Sequence, residues 1–347
     1  MPSVNDLFCG CGGMGLGFKQ AGFKTVGAWD FDKYAVMSYK TNVDDVVMQA
    51  DITKMTADDL PYADVWTFGF PCQDISVAGK QLGMVKGETR SGLFYEVMRL
   101  LEETKDKPKI ILAENVKAVK KYLPEIEKEY AEQGYKMTAQ LYNSKYWGVP
   151  QNRERYFIVG VRNDIEKEFI FPTEQKEFVP KLSSILQTEV DEKYYISDEK
   201  SKKIIEQAMK RVELKGTHSC VTPGRVEKRQ NGRRAKEEEE EMFTLTSQDM
   251  HGVIVHNIYG GFKEKLPRVF TEYSPTIRTA KGGGHIPSVI DNFRVRTITP
   301  RECARLQGFP EDFKFVCSNS QMYKQFGNAV TVNVSKAIAE SISDFLS

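Results

Sequence analysis

Asp6-Leu-Phe-Cys-Gly-Cys-Gly-Gly-Met-Gly15 is the stretch whose reading decides the fold. It continues a short β-prone run, 4–8, and carries a G-x-G-x-x-G spacing at Gly10, Gly12 and Gly15, with Asp30 twenty residues after Gly10. Glycines at this spacing let the backbone turn tightly and approach a ligand closely before a helix begins. A carboxylate after the second strand is then placed to bind ribose hydroxyls. Taken alone, the motif fits NAD, FAD or S-adenosylmethionine, or simply a tight turn.

Outward from this loop, the first 160 residues alternate β-branched or aromatic runs with helical patterns. Strands are expected at 4–8, 25–29, 46–49, 64–68, 110–113, 136–143 and 156–161, and helices at 32–41, 93–105 and 123–133. Such alternation predicts an α/β fold with a doubly wound, mostly parallel sheet, whose ligands sit at the carboxyl ends of the strands. After Arg162 the regularity fades. Residues 184–293 are rich in turns, charge and glycine, and two loosely similar segments, 243–252 and 275–285, read as strand-plus-loop units of a smaller domain. Thr299-Pro-Arg-Glu302 is a capping box with proline at the first helical position, so a helix should start there. The stretch 330–346 reads as an amphipathic helix. The expected organisation is a large domain, 1–183, completed by a C-terminal helix, 320–347; a second, smaller domain, 184–293; and a hinge with the capped helix, 294–319.

Composition narrows the class. A chain of 347 residues with 40% apolar content can bury a sizeable core. No run reaches the roughly 18 apolar residues of a membrane span, and the opening residues lack the pattern of a signal peptide. A cytoplasmic location away from membranes is therefore expected. Six cysteines, at 9, 11, 72, 220, 303 and 317, form no metal-binding spacing, so no metal is expected. The net charge of +1 hides an uneven distribution, with 11 Lys/Arg between Ser201 and Lys236, then five glutamates, Glu237 to Glu241. The basic stretch suits phosphates or plain solvent; the acidic run is expected to face solvent.

Three further stretches fall at predicted strand edges. Gly69-Phe-Pro-Cys-Gln-Asp-Ile-Ser76 follows the fourth strand, and Pro71 fixes the backbone ahead of Cys72, a candidate nucleophile. The loop 77–92 then brings glycines together with Lys80, Lys86 and Arg90, a composition suited to closing over a polyanion. Glu114-Asn-Val116 ends the fifth strand, where desolvation keeps a carboxyl protonated nearer neutrality. Gln151-Asn-Arg-Glu-Arg155 sets Arg153 and Arg155 on one side at period two, ready to polarise a carbonyl or hold an anion.

These blocks resemble, in order and over nearly the whole chain, the bacterial DNA cytosine-5 methyltransferases of restriction–modification systems. The counterparts are Asp6 to Gly13, Pro71-Cys72-Gln73, Glu114-Asn115-Val116, Gln151-x-Arg153-x-Arg155, Arg296 to Pro310, and Gly327-Asn328-Ala329-Val330. The resemblance implies an S-adenosylmethionine-dependent methyltransferase fold with a target-recognition domain between the Arg155 and Arg296 blocks. It assigns Cys72 to attack on cytosine C6, Glu114 to N3, Arg155 to O2 and Arg153 to support of the site. S-adenosyl-L-methionine would be the cofactor, leaving as S-adenosyl-L-homocysteine. Phe8, Cys11, Gly12 and Gly13 are implied around its methionine part, Asp30 at the ribose, and Phe31 and Asp51 at the adenine. Ile52, Pro71 and Leu93 complete the cofactor set, with Asn328 and Val330 closing it from the C-terminal side. The family often has glutamate where Asp30 stands.

The implied substrate is double-stranded DNA with the target base flipped out. Ser76, Lys80, Gln81 and Arg90 are expected at the DNA from the first domain. Arg229, Gln230, Arg233, Arg234, Thr246, Gln248 and Arg278 are expected from the smaller one. His251 and His285 read as turn or packing residues. A monomer suffices, and a cognate restriction endonuclease would be a partner by genetic linkage only. The alternatives are tRNA cytosine-5 methylation on the same scaffold, an NAD-dependent dehydrogenase, which leaves Cys72, Glu114 and both arginines unexplained, and an inactive DNA-binding regulator.

Overall fold

The computed structural model describes residues 1–71, 84–85, 87–209, 218–221, 223, 233–238, 240–245, 251–256 and 293–347. Of the expected site residues, Cys72, Ser76, Lys80, Gln81, Arg229, Gln230, Thr246, Gln248 and Arg278 lie outside the described residues, as do the Arg90 side chain, His285 and the segment 275–285.

The chain opens as β1 (Ser3–Leu7), α1 (Gly13–Gln20), β2 (Lys24–Asp30), α2 (Lys33–Asn42), β3 (Val47–Gln49) and β4 (Val65–Phe68). It continues through α3 (Phe94–Glu103), β5 (Ile110–Val116), α4 (Leu123–Glu132), β6 (Tyr135–Asn143) and β7 (Glu154–Arg162). All seven strands and the three helices after α1 fall where the sequence pattern predicts them. The doubly wound sheet has the order β3-β2-β1-β4-β5-β7-β6. Strands β1 to β5 pair in parallel, and β7 enters antiparallel between β5 and β6. The order reverses at β1 and β4, the position where such sheets open a crevice.

Alternation along the strands sorts side chains into two cores, as a sheet covered on both faces requires. Trp66, Phe68, Ile111, Ala113 and Ile158 pack on one face with Phe94 and Leu100 of α3 and Ile126 of α4. Val65, Ile110, Leu112, Phe157 and Val159 pack on the other with Phe18 of α1. That second layer is completed from the far end of the chain. After α6 (Pro300–Leu306) and α7 (Asn319–Asn328), α8 (Val332–Leu346) buries Val334, Ile338, Ala339 and Ile342 in the same cluster. The expected C-terminal helix is thus two helices, interrupted at Ala329–Thr331. The capped helix starts at Pro300, as the capping box predicts.

The chain divides into two compact units. The first comprises Met1–Pro180, Thr244–Gln248 and Pro300–Ser347; the second comprises Lys181–Phe243 and Asp249–Thr299. In the second unit α5 (Asp198–Met209) packs on a three-stranded antiparallel sheet, β10-β9-β8, formed by β8 (His218–Val221), β9 (His251–His256) and β10 (Phe293–Thr297). Ile204, Cys220, Ala235, Ile254 and Val295 form its small core. Residues 294–299, expected in a hinge, belong to this sheet and its flank. Thr244 and Leu245, expected in a strand of the smaller domain, form no strand and group with the first unit, because side chains of that unit take up the backbone of Leu245. His251 is buried at the start of β9 and its carbonyl accepts from Ile298 N–H, a packing role.

Candidate active site

The carboxyl ends of β1 to β5, the start of β7 and the α7–α8 junction enclose a cavity of about 700 Å³ in the first unit, the size of a cofactor pocket. At the end of β1, Phe8 takes φ +53°, a region costly for a non-glycine residue, and Gly10 and Gly12 follow at +56° and +98°. Asp30 fastens this loop: one carboxylate oxygen accepts from Gly10 N–H at 2.9 Å and the other from Asp32 N–H at 2.8 Å. Burial raises the Asp30 carboxyl above its ordinary range. Phe31, 74% exposed, leaves an aromatic face open beside the cavity. Asp51 spends one oxygen on Thr53, accepting from its N–H at 3.1 Å and its hydroxyl at 2.8 Å.

Phe8, Cys11, Gly13, Asp30, Phe31, Asp51, Ile52, Pro71, Leu93, Asn328 and Val330 all line the cavity. Gly12 is not among the lining residues. A Cβ there would strike the Val43 side chain, and the space beside Gly13 is filled by the backbone of Val330. Packing of the loop against its own protein thus leaves no room for a side chain at either glycine, and Gly12 is also required by its φ of +98°.

Asp6, which opens the glycine-loop block but was given no role of its own, also lines the cavity. It is fully buried, accepts from the Thr67 hydroxyl at 2.8 Å, and is pushed up to about 7 by desolvation. Lys324 of α7 reaches Asp32 at 2.6 Å, and both line the cavity, joining the α7 wall to the end of β2. The spacing around Lys324 carried no signal of this.

The chemical end lies between β4, β5 and β7. Asn115 Nδ2 donates to the Phe70 carbonyl at 3.0 Å and so ties the Gly69-Phe70-Pro71 turn to β5. Pro71 lines the cavity, and in the sequence Cys72 follows it directly. Register pairs Glu114 with Phe157 and Val116 with Arg155, which brings Arg155 diagonally to Glu114. The guanidinium Nε stands 3.1 Å from Glu114 Oε1 as an ion pair without hydrogen-bond alignment, so Oε1 has no hydrogen-bond partner among the described residues. Burial raises the Glu114 carboxyl, and the charges of Arg155 and then Arg153 oppose that rise. An acid whose carboxyl is raised by burial thus stands beside two cations, an arrangement suited to donating to a ring nitrogen and holding a neighbouring carbonyl. Among the described residues no group of His, Cys, Asp and Glu is arranged to hold a metal ion.

In the second unit the structure corrects one expectation. Arg234, expected at the DNA, is buried near Cys220 and so presents no exposed guanidinium. Arg233 remains exposed and pairs with Glu240 at 2.9 Å. The acidic run is not purely solvent-facing either: Lys236, nearly buried, lies 3.5 Å from Glu240 and 3.6 Å from Glu241.

A three-layer α/β fold with a glycine loop, an acidic residue at the end of β2 and another just after β3, and a buried acid beside arginines makes this an α/β protein with one large cavity at the carboxyl edge of its sheet. Comparison with known proteins narrows this. The family model for C-5 cytosine-specific DNA methylases matches residues 3–344. The Type II methyltransferase M1.ScrFI of Lactococcus lactis subsp. cremoris is 36% identical, the alignment covering 98% of this chain and 78% of the relative. The Type II methyltransferase M.NlaX of Neisseria lactamica is 34% identical over 100% and 98%. Among solved structures, the Entamoeba histolytica methyltransferase EhMeth superposes with a TM-score of 0.71 at 18% identity, covering 100% of this chain and 99% of its own, a likeness of fold. The chain belongs to the C-5 cytosine-specific DNA methylase family and is a DNA cytosine-5 methyltransferase.

Proposed function

We propose that the protein methylates carbon 5 of one cytosine within a specific double-stranded DNA sequence, with S-adenosyl-L-methionine as donor and Cys72 as nucleophile. It would act as a cytoplasmic monomer, as the modification half of a restriction–modification pair. The observation that carries the reading is the buried Glu114 beside Arg155 at the wall of a cavity into which the Pro71 turn delivers the residue before Cys72.

The cavity suits the donor. Asp30 keeps lone pairs for ribose hydroxyls beyond its two backbone bonds, Phe31 offers an open ring face for adenine, and Asp51 retains an oxygen for the adenine amino group. When bound there, S-adenosyl-L-methionine supplies an electrophilic methyl carbon and leaves as S-adenosyl-L-homocysteine.

The chain's own residues prepare the acceptor. The Cys72 thiolate adds to C6 of the flipped cytosine, and the ring electrons move toward C5. Glu114 gives its proton, or a strong hydrogen bond, to N3, where negative charge would otherwise collect. Arg155 holds O2, and Arg153 adds positive charge nearby. After methylation the C5 proton leaves to a base and the Cys72 sulfur is expelled, restoring the ring. Arg233 of the second unit is the DNA contact best supported among the described residues, since its ion pair with Glu240 can be exchanged for a phosphate.

Bisulfite sequencing of plasmid DNA from cells expressing the protein tests the reading. A single protected sequence is expected with the wild type and none with Cys72→Ser. Protection persisting in Cys72→Ser removes that residue from its role.

A further inference from the structure

Two buried side chains at the entrance to β7 hold both poles of one residue far away in the sequence. Gln151 Oε1 accepts from Leu245 N–H at 2.9 Å, and Arg153 Nη1 donates to the Leu245 carbonyl at 3.0 Å. The Thr244 hydroxyl adds a bond to the Asn152 carbonyl. The same guanidinium reaches the α7–α8 junction, donating to Gly327 O at 3.3 Å and Ala329 O at 2.7 Å. Gln151 Nε2 meanwhile donates to Leu306 O at 2.7 Å. Gly327 and Ala329 line the donor cavity. One planar fork thus bridges the cavity wall and the Leu245 backbone, which a lysine's single charge cannot reproduce.

The place of Leu245 in the chain gives this bridge its meaning. Thr244–Gln248 belongs to the first unit, while the chain immediately before it and after it belongs to the second. Resting on the reading above, we propose that Gln151 and Arg153 form a positioning clamp that couples donor occupancy to the grip on DNA. A donor seated against Gly327 and Ala329 fixes the fork, the fork fixes Leu245, and Leu245 anchors both stretches of the second unit that continue from it. Coupling of this kind is reciprocal: DNA tightens the donor by the factor by which the donor tightens DNA.

The test uses the full chain as wild type, Arg153→Lys and Thr244→Val. S-adenosyl-L-homocysteine affinity is measured by calorimetry without DNA. Affinity for a duplex bearing the methylated sequence is measured by fluorescence anisotropy with and without saturating S-adenosyl-L-homocysteine. In the wild type the ligand should tighten DNA binding by roughly 5- to 150-fold, the usual range for coupled sites. In both variants that ratio should fall toward one, with Thr244→Val keeping its ligand affinity in the absence of DNA. A merely structural role would lower thermal stability and both affinities and leave the ratio intact. A ratio of one in the wild type, or an undiminished ratio in the variants, overturns the proposal; where Arg153→Lys does not fold, Thr244→Val decides. A wild type that binds no S-adenosyl-L-homocysteine fails the donor reading first, and the clamp with it.

Discussion

Asp6 is the residue whose physical state is most unusual for its type. Its carboxyl is fully buried, and desolvation outweighs the Thr67 hydrogen bond, bringing it to about 7 from an ordinary value of 3.8. A carboxyl raised on folding favours the native state while both states are protonated. That contribution is lost as pH rises from about 4 through about 7, because only the unfolded chain releases the proton easily. The shift corresponds to at most about 4 kcal/mol of stability lost across that window. Asp6→Asn should therefore melt at a higher temperature than the wild type at pH 8, with the advantage gone near pH 4. Calorimetric scans of both proteins at the two pH values check this, and parallel pH dependence would show that Asp6 is not the source. Glu114 obeys the same sign, and there the retained proton has a proposed use. The ends of strands, where a desolvated acid was expected, were readable from the pattern for Glu114. Asp6 sits inside β1, where sequence alone does not distinguish a surface acid from one sealed between Tyr39 and Thr67.

At the scale of elements, the strands and most helices were legible because alternation and 3.6-residue periodicity come from burial itself. The start of α6 at Pro300 was legible because helix-start signals are local. Long-range polar joints were not. Gln307 donates to Phe326 O at 2.6 Å and accepts from Thr331 at 2.9 Å, and Ser144 lies 2.8 Å from Thr331, binding α6, α7 and β6 through residues with no sequence signature. The glycine loop was legible in position and in its tight turn, as Gly10 and Gly12 at positive φ show, but not in its packing. At Gly13 the missing Cβ admits the Val330 backbone, so the loop and the α7–α8 junction are pressed together before any ligand arrives. Gly13→Ala should consequently lower the thermal midpoint as well as donor affinity. A cost of about 1–3 kcal/mol is expected for overpacking against rigid backbone. Unchanged stability with lost binding would instead make the glycine a ligand-contact device.

For the whole molecule, the catalytic unit is assembled from separated stretches of chain, and the second unit is threaded through it in sequence. Composition hinted at the second unit through its basic stretch, yet folding sorted those charges in ways that composition does not encode. Arg234 goes inside, Lys236 is nearly buried between Glu240 and Glu241, and Arg233 stays outside under a carboxylate. If Arg233 meets a phosphate, Arg233→Ala should weaken binding to all duplexes about equally. It should also reduce the slope of log affinity against log salt by about 1. Loss confined to the target sequence would make it a base reader. The packing of α8 against α1, with Ser335 Oγ bonded to the Met14 carbonyl at 2.9 Å, also sets an order of events during synthesis. At 5–20 residues per second, roughly 15 to 65 s separate the synthesis of α1 from that of α8. Until then Phe18 and the sheet face beneath it lack their cover, so a nascent chain that stops short of α8 cannot be a working methylase. A cell acquiring this gene would wait at least that long for its first protected cytosine.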